Sequence, residues 1–554
     1  MAPIIRTCNA FFLCLGAVAG SAAASRPAEP TALSAYVSAR LAEAEGDKAG
    51  ALGAYASAFK AEPDSPVIAL GAFRQAVELG DKVLALRAAE ALQRAGELPG
   101  DVALLLIGIR LQKGDVAGAT RLTEELDDDK DLTRLLPALK GWIGVAARDP
   151  GAPDLINGAD TGDAALSGLI ATEQRALIGL LAGRKAEALA LIRSAPPGES
   201  GTGALRMTAA ATLSRMGDSG TALTLLNGSD LSYAIARQRL EKKLSFNGAI
   251  TNPAEGLAYF YARLAGDLVR DRAPYYAMTL GRYARFLDPA SPYIAMAEAQ
   301  ALAANQWEEE ALTTLDRVSL TDPYAPIAQE SRIALYHRLG ENEKALEIAA
   351  AAAQNLGRAA DYVRLGESLA RLGRHQEAAK AFGAALDASD KTSAPDEWTI
   401  LIRRGLALGE NGDWPAAEAD YRSALARAPN QPSLLNLLGY SLLERREKIE
   451  EAMRLVTRAH ELQPYDAAIT DSLGWAYFLS GNLQRALELL EEAVRAEPSD
   501  PTINEHLGDA YWQAGRRVEA RYAWRAALLT ADEKVTSRLL EKVDFGLTAQ
   551  TAAR

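Results

Sequence analysis

Small and apolar residues fall at regular places in residues 467–498, which read AAITDSLGWAYFLSGNLQRALELLEEAVRAEP. Two apolar-rich runs in this stretch are separated by a short polar turn that contains Gly481 and Asn482. The pattern predicts a pair of antiparallel helices, named helix A and helix B here. Gly481 is suited to end helix A in the left-handed conformation, and Asn482 is suited to cap helix B.

The same pattern returns at intervals of about 34 residues along most of the chain. Gly474 and Ala486 recur 34 residues later as Gly508 and Ala520, and their short side chains allow helices A and B to pack closely. Counting one degenerate unit before Ala188, we expect about 13–15 repeats. The alanine of helix B recurs at Ala51, Ala85, Ala119, Ala188, Ala222, Ala277, Ala311, Ala345, Ala378, Ala417, Ala452, Ala486 and Ala520.

Gly-Asp pairs and prolines mark the ends of the predicted helices. Pairs of prolines three residues apart, such as Pro429 with Pro432 and Pro498 with Pro501, are placed to end one helix B and to open the next helix A. The Gly-Asp pair, in the place of Gly481 and Asn482, recurs at residues 46–47, 80–81, 114–115, 217–218 and 412–413.

The period and the residues of one unit resemble the tetratricopeptide repeat (TPR) family. The shared positions in residues 467–498 are Leu473, Gly474, Tyr477, Ala486, Leu490 and Pro498. The resemblance implies an all-α fold, a right-handed superhelical solenoid of about 13–15 helix-turn-helix repeats. It also implies a non-catalytic scaffold that binds protein or peptide partners on the concave face formed by the stacked A helices.

The second half of the chain resembles a narrower family. Residues 429–446, 471–482 and 503–528 are similar to an alphaproteobacterial family of exported TPR proteins. That family is similar in layout to outer-membrane TPR lipoproteins that act as adaptors for a periplasmic carboxy-terminal processing protease. A lipidated cysteine needs a small residue directly before it, and here Leu13 precedes Cys14. We therefore do not expect a lipid anchor on Cys14.

Composition and repeat spacing divide the chain into successive segments. Residues 1–24 have one positive charge and an apolar core, and residues 22–24 fit a signal-peptidase site before Ser25. The later segment 227–267 is either a tolerated loop or a functional addition. We expect proteolysis to begin at the degenerate unit near 141–154 and at the insertion near 231–267. The segments are a signal peptide (1–24), an N-terminal TPR array (31–226), an atypical insertion (227–267), a C-terminal TPR array (268–531), and a capping helix with a tail (532–554).

The N-terminal segment predicts a periplasmic protein that is secreted with a cleaved signal peptide. The alternative is that the segment is kept as an anchor. Cys8 and Cys14 both lie in this segment, so the mature chain is expected to contain neither a cysteine nor a disulfide.

Composition argues against several classes of function. The net charge of −12 without basic clusters argues against nucleic acid as a partner. The four histidines, at 337, 375, 460 and 506, lie in different repeats and lack the spacing of metal ligands. We expect no enzyme, no cofactor, no metal site and no small-molecule substrate. The competing class is an enzyme hidden in residues 231–267.

Position within the repeat predicts a partner-binding groove, because certain positions of helix A face the concave side in TPR proteins. Tyrosine and tryptophan beside acidic groups are typical of binding surfaces. The alternative is that these rings pack between adjacent A helices. The groove positions of the second half include Ile402 and Leu406, and the site residues predicted there are Asn436, Tyr440, Asp471, Trp475, Phe478, Glu505, Asp509 and Trp512.

We therefore expect a periplasmic scaffold that mediates protein–protein interactions and associates with the cell envelope through its partners. Two finer roles stay open. One is an adaptor that delivers substrates to a periplasmic processing protease. The other is an assembly subunit of outer-membrane or exopolysaccharide machinery.

Overall fold

A computed structural model describes residues 31–126, 132–156, 168–196, 201–228, 230–389, 397–548 and 551. The predicted signal peptide, residues 1–24, lies outside these ranges. Within them the regular secondary structure consists of α-helices and two short 3-10 helices, with no strand. The prediction of an all-α fold is confirmed.

The α-helices of the described residues are numbered α1 to α29 in chain order. The two 3-10 helices are Thr133–Leu135 and Ala152–Ile156. The bounds are α1 (Ala32–Glu45), α2 (Lys48–Ala61), α3 (Pro66–Leu79), α4 (Lys82–Ala95), α5 (Gly100–Gln112), α6 (Val116–Glu124), α7 (Leu136–Ala146), α8 (Gly168–Leu181), α9 (Lys185–Ser194), α10 (Thr202–Arg215), α11 (Ser219–Leu225), α12 (Leu231–Glu241), α13 (Pro253–Arg270), α14 (Pro274–Leu287), α15 (Pro292–Ala304), α16 (Glu308–Leu315), α17 (Ala325–Arg338), α18 (Asn342–Leu356), α19 (Ala359–Arg371), α20 (His375–Asp387), α21 (Glu397–Glu410), α22 (Trp414–Arg427), α23 (Pro432–Glu444), α24 (Ile449–Leu462), α25 (Ala467–Leu479), α26 (Leu483–Ala496), α27 (Pro501–Gln513), α28 (Arg517–Leu528) and α29 (Glu533–Phe545).

The predicted helix ends are confirmed by the backbone and its hydrogen bonds. Gly481 follows α25 at a φ of 85°, in the left-handed region. The side chain of Asn482 then accepts a hydrogen bond from the backbone N–H of Arg485 in the first turn of α26. The same side-chain cap is made by Asp47, Asp81, Asp115, Asp218 and Asp413, and helices α3, α15, α23 and α27 begin at a proline.

Helices A and B approach closely at the predicted glycines. A Cβ atom on Gly474 would lie 2.9 Å from Cγ of Leu490, and one on Gly508 would lie 2.4 Å from Cδ1 of Trp524. Both separations are too short for carbon atoms in contact, so these positions require glycine.

The helices form two compact units, one up to Ala325 and one from Pro326. In the first unit, α13 packs against α5, α7, α8, α14 and α15, and α14 packs against α3 and α5. More than half of the residues of α13 are buried. Gly256 of α13 lies directly on the ring of Trp142, where a Cβ atom would come within 2.2 Å of Cζ3. The centre of this unit is therefore a helix that follows the N-terminal repeats in the chain.

Polar contacts between sequence-distant residues hold α13 and α14 against the N-terminal helices. The hydroxyl of Tyr261 donates to the carbonyl of Leu104 at 2.8 Å. The guanidinium of Arg282 donates to the carbonyl of Glu78 at 3.0 Å. These bonds satisfy buried polar groups that would otherwise lose their water partners.

The packing of α13 bears on the segment 227–267 defined above. The limit between residues 267 and 268 falls inside α13, which is the A helix of the repeat whose B helix α14 contains Ala277. Proteolysis is not expected to begin within 253–270, because these residues form the core of the first unit. The other domain limits stay predictions.

In its described residues, the second unit contains six consecutive A–B pairs, α17 to α28, followed by α29. Helix α29 packs on α28, and its residues Leu539 and Lys542 are buried. Lys542 reaches carboxylates on α27, so α29 takes the place that a further A helix would have. The helix therefore covers part of the surface of α27 and α28.

Candidate protein-binding groove

Three consecutive A helices of the second unit, α17, α19 and α21, line a groove of about 850 Å³. This feature is called the α17–α19–α21 groove below. Its lining combines alanines and Leu406 with charged side chains at the ends and edges of the helices. The lining residues are Glu330, Ile333, Ala334, His337, Arg338, Arg364, Glu367, Ala370, Arg371, His375, Phe382, Arg403, Leu406, Ala407 and Glu410.

The floor of the groove is apolar and open to solvent. Leu406 of α21 is 46% exposed, and Ala334 of α17 is exposed on the same groove lining. Beneath the floor, Phe382 is buried against Gly366, where a Cβ atom would lie 2.6 Å from Cε1 of the ring. A buried layer thus holds the A helices in place while an apolar side chain of the floor stays accessible.

Ion pairs between neighbouring A helices cross the groove. Glu330 of α17 is bonded to Arg364 of α19, and Glu367 of α19 lies 2.9 Å from Arg403 of α21. Burial raises the pKa of Glu330, and the Arg364 guanidinium offsets part of that rise. These pairs fix the spacing of the three helices.

A histidine is held rigidly at the same surface. Nδ1 of His337 lies 2.9 Å from Oδ1 of Asn342, and Nε2 lies 3.1 Å from the Ser368 hydroxyl. Both ring nitrogens are therefore occupied by neighbouring side chains. This arrangement gives His337 a structural role and leaves no nitrogen directed at a reacting group.

The site residues predicted from the sequence lie on α23, α25 and α27, farther along the second unit. Trp475 is 1% exposed. Its ring stacks on Phe478 at 4.7 Å and on His506 at 4.2 Å between centroids. For Trp475 the structure favours packing between adjacent A helices, which was the alternative to a groove role. Phe478 beside it is half-buried.

Asp471 is buried and pairs with His506. The carboxylate oxygen Oδ2 lies 2.8 Å from Nδ1 of the histidine, which is 1% exposed. Burial disfavours the imidazolium, but the charges of Asp471, Glu505 and Asp509 outweigh it and raise the pKa of His506. Asp471 thus pairs with a buried histidine of this chain rather than facing a partner.

Glu505 and Asp509 are buried beneath α29. Nζ of Lys542 lies 2.6 Å from Glu505 and 2.7 Å from Asp509, and Arg538 lies 2.7 Å from Glu505. Burial raises the pKa of Glu505, but Lys542 and Arg538 outweigh it and hold that pKa below its ordinary value. Both acids are therefore neutralised inside the chain.

The remaining predicted residues, Asn436, Tyr440, Phe478 and Trp512, are half-buried. Gly546 after α29 lies on the ring of Trp512, where a Cβ atom would come within 2.0 Å of Cη2. Leu406 was named among the groove positions in the sequence analysis, but the charged residues of the groove lining were not named there. The spacing could have found them, because the groove positions counted from Ala345 and Ala378 include Arg338 and Arg371.

The described ranges contain neither a candidate metal site nor a candidate membrane-spanning helix. No group of histidine, cysteine, aspartate or glutamate side chains in them could hold a metal ion. None of the helices in the described part of the chain combines the length and the apolar character needed to span a bilayer.

Comparison with known proteins identifies repeats in the second unit. Residues 363–432, 402–467 and 472–535 match the tetratricopeptide repeat family. The TPR repeat-containing protein PA4667 of Pseudomonas aeruginosa is 37% identical over 89 residues, which is 16% of this chain and 15% of that protein. The chain therefore shares only a short part of that relative's length.

Solved structures of other proteins are similar to parts of this chain. A tetratricopeptide repeat protein from Parabacteroides merdae has a TM-score of 0.39 and 16% identity, over 46% of this chain and 98% of its own. MamA from Desulfovibrio magneticus has a TM-score of 0.27 and 21% identity, over 31% of this chain and 94% of its own. A TPR protein from Thermus thermophilus has a TM-score of 0.28 and 24% identity, over 33% of this chain and 96% of its own.

Proposed function

The second unit of this chain carries tetratricopeptide repeats, which generally serve as non-catalytic scaffolds, and we propose that the chain binds a protein partner in the α17–α19–α21 groove. The observation that carries the proposal is the open apolar floor, where Leu406 is 46% exposed between charged walls. An apolar centre within a polar rim is the usual anatomy of a protein interface.

Several other A helices in the described residues are covered by another helix of this chain. In the first unit, α13 and α14 lie against α3, α5, α7 and α8. At the end of the second unit, α29 covers Glu505 and Asp509. These contacts support the α17–α19–α21 groove as the binding surface.

We further propose that the chain acts in the periplasm without catalysing a reaction. The support is the signal-like pattern of residues 1–24 and the resemblance of the second half to exported TPR proteins. Within that setting, an adaptor for a processing protease and an assembly subunit for envelope machinery are the two roles proposed. Detection of the mature chain beginning at Ser25 in a periplasmic fraction would support export, and retention of Met1 in cytosol would contradict it.

Site-specific photo-crosslinking tests the groove directly. A photoreactive amino acid at Ala334, exposed on the groove lining, should crosslink a partner protein in cells. The same amino acid at Tyr522, 66% exposed on the B helix α28, is the matched control and should not. Equal crosslinking at both positions, or none at Ala334, would contradict the proposal.

A further inference from the structure

The glutamates of α17 and α19 are already neutralised within the α17–α19–α21 groove. Glu330 is bonded to Arg364, and Glu367 lies 2.9 Å from Arg403. Each pair joins one A helix to the next. A basic partner would have to break an existing ion pair before it could use either carboxylate, so these acids do not favour a basic ligand.

Arg371, the last residue of α19, is in a different situation. Its side chain is exposed on the groove lining and makes no ion pair within the described part of the chain. Leu406, on the neighbouring A helix α21, is part of the same lining. Arg371 therefore offers an uncompensated cation beside an apolar surface.

The first unit shows how A helices of this chain hold another helix. Apolar residues of α13, including Leu257 and Phe260, are buried where α13 lies against α5, α7 and α8. One charge pair accompanies them, with Nε of Arg263 3.1 Å from the buried carboxylate of Glu173 on α8. Apolar contact with an added charge pair is also the general mode by which grooves bind amphipathic helices.

We infer that the partner of the α17–α19–α21 groove is an amphipathic helical segment that sets an apolar side chain on Leu406 and a carboxylate on Arg371. The inference rests on the proposed function and adds the chemistry of the partner. A segment that is acidic along its whole length fits less well, because Glu410 at the end of α21 is exposed on the same lining. Charge complementarity of this kind fixes the register of a bound segment.

Two synthetic peptides of about 14 residues, or about four helical turns, test the inference. They share their leucine positions, and their polar face carries either glutamate or lysine. Binding to the full chain is measured by fluorescence anisotropy, and the glutamate peptide is expected to bind more tightly.

Variants of the groove test which of its charged residues determine peptide binding. Arg371→Glu should weaken the glutamate peptide by about fivefold to tenfold, because attraction is replaced by repulsion. Glu410→Lys should tighten it. Arg525→Glu, exposed on α28 outside the groove, changes the net charge equally and should leave binding unchanged.

Three outcomes would overturn the inference: tighter binding of the lysine peptide, no effect of Arg371→Glu, or no binding of either peptide. Leu406→Arg separates this failure from that of the proposed function. If Leu406→Arg abolishes peptide binding while Arg371→Glu has no effect, the groove is retained and the carboxylate requirement is wrong. If neither peptide binds, crosslinking at Ala334 decides separately whether the groove is used.

Discussion

Trp475 stabilises the second unit from within its core. It is 1% exposed and stacks on Phe478 and His506. Replacing a buried tryptophan by alanine typically costs about 3–5 kcal/mol, and we expect Trp475→Ala to lower the free energy of unfolding by about that amount. Urea unfolding followed by circular dichroism measures it. Tyr522→Ala, at a 66% exposed ring, is the control and should change stability by about 0.5 kcal/mol or less. Similar losses in both variants would show that Trp475 is not in the core.

His506 makes the stability of the second unit depend on pH. Burial lowers the pKa of His506, but Asp471 and the nearby acids outweigh it, so the pKa of the folded state is raised. The unfolded value is about 6.5. The folded chain therefore holds the proton more tightly, and the stability gained is complete below about pH 6.5 and lost as pH rises through the raised pKa.

The free energy of unfolding, measured from mildly acidic to mildly alkaline pH, checks this dependence. The wild-type chain should lose stability over that range, and His506→Gln should lose less because the titrating group is gone. Parallel curves for the two proteins would mean that His506 does not carry a proton in the folded state.

Helix α29 is held by a charge cluster that the repeat motif does not predict. Lys542 is fully buried between Glu505 and Asp509. Removing one partner of a buried ion pair costs about 3–5 kcal/mol, since the other charge is left uncompensated. We expect Lys542→Met to speed amide hydrogen exchange in α27, α28 and α29. Lys534→Met, exposed on the same helix, should leave exchange unchanged, and equal effects of the two variants would contradict the role given to Lys542.

The helix pairs could be predicted from the sequence because each of their ends has a local physical signal. Gly481 and Asn482 show this, since a left-handed glycine and an N-cap act within a few residues. The sequence has no such local signal for the part of the concave side that a partner can reach. Trp475 was predicted as a groove residue because it is aromatic, but its burial depends on His506 in the next A helix. Arg371 has no aromatic neighbour in sequence to mark it.

Across the whole molecule, the packing of α13 and α14 is the feature that the repeat period could not predict. A 34-residue period describes contacts between neighbouring repeats. The bond from Tyr261 to Leu104 joins residues that are 157 positions apart. Such contacts depend on how far the N-terminal repeats curve, which no single repeat encodes.

Limited trypsin digestion tests this arrangement of the first unit. Lys242 and Lys243 are exposed in the link between α12 and α13, and we expect cleavage there. The two pieces should then elute together in size-exclusion chromatography, because α13 and α14 pack against α3, α5, α7 and α8. A chain with both lysines changed to glutamine is the control that should resist this cut. Separate elution of the pieces would contradict the packing.

The proposal that this chain binds a partner in the α17–α19–α21 groove is tested most directly at Leu406. Leu406→Arg places a charge on the apolar floor, and because the side chain is 46% exposed, stability should change by about 0.5 kcal/mol or less. Leu529→Arg, at an 85% exposed residue just after α28, is the matched control. The measurement is the recovery of copurifying proteins with each variant, quantified by mass spectrometry. Loss of specific proteins with Leu406→Arg alone is the predicted result, and identical recovery from both variants would contradict the account.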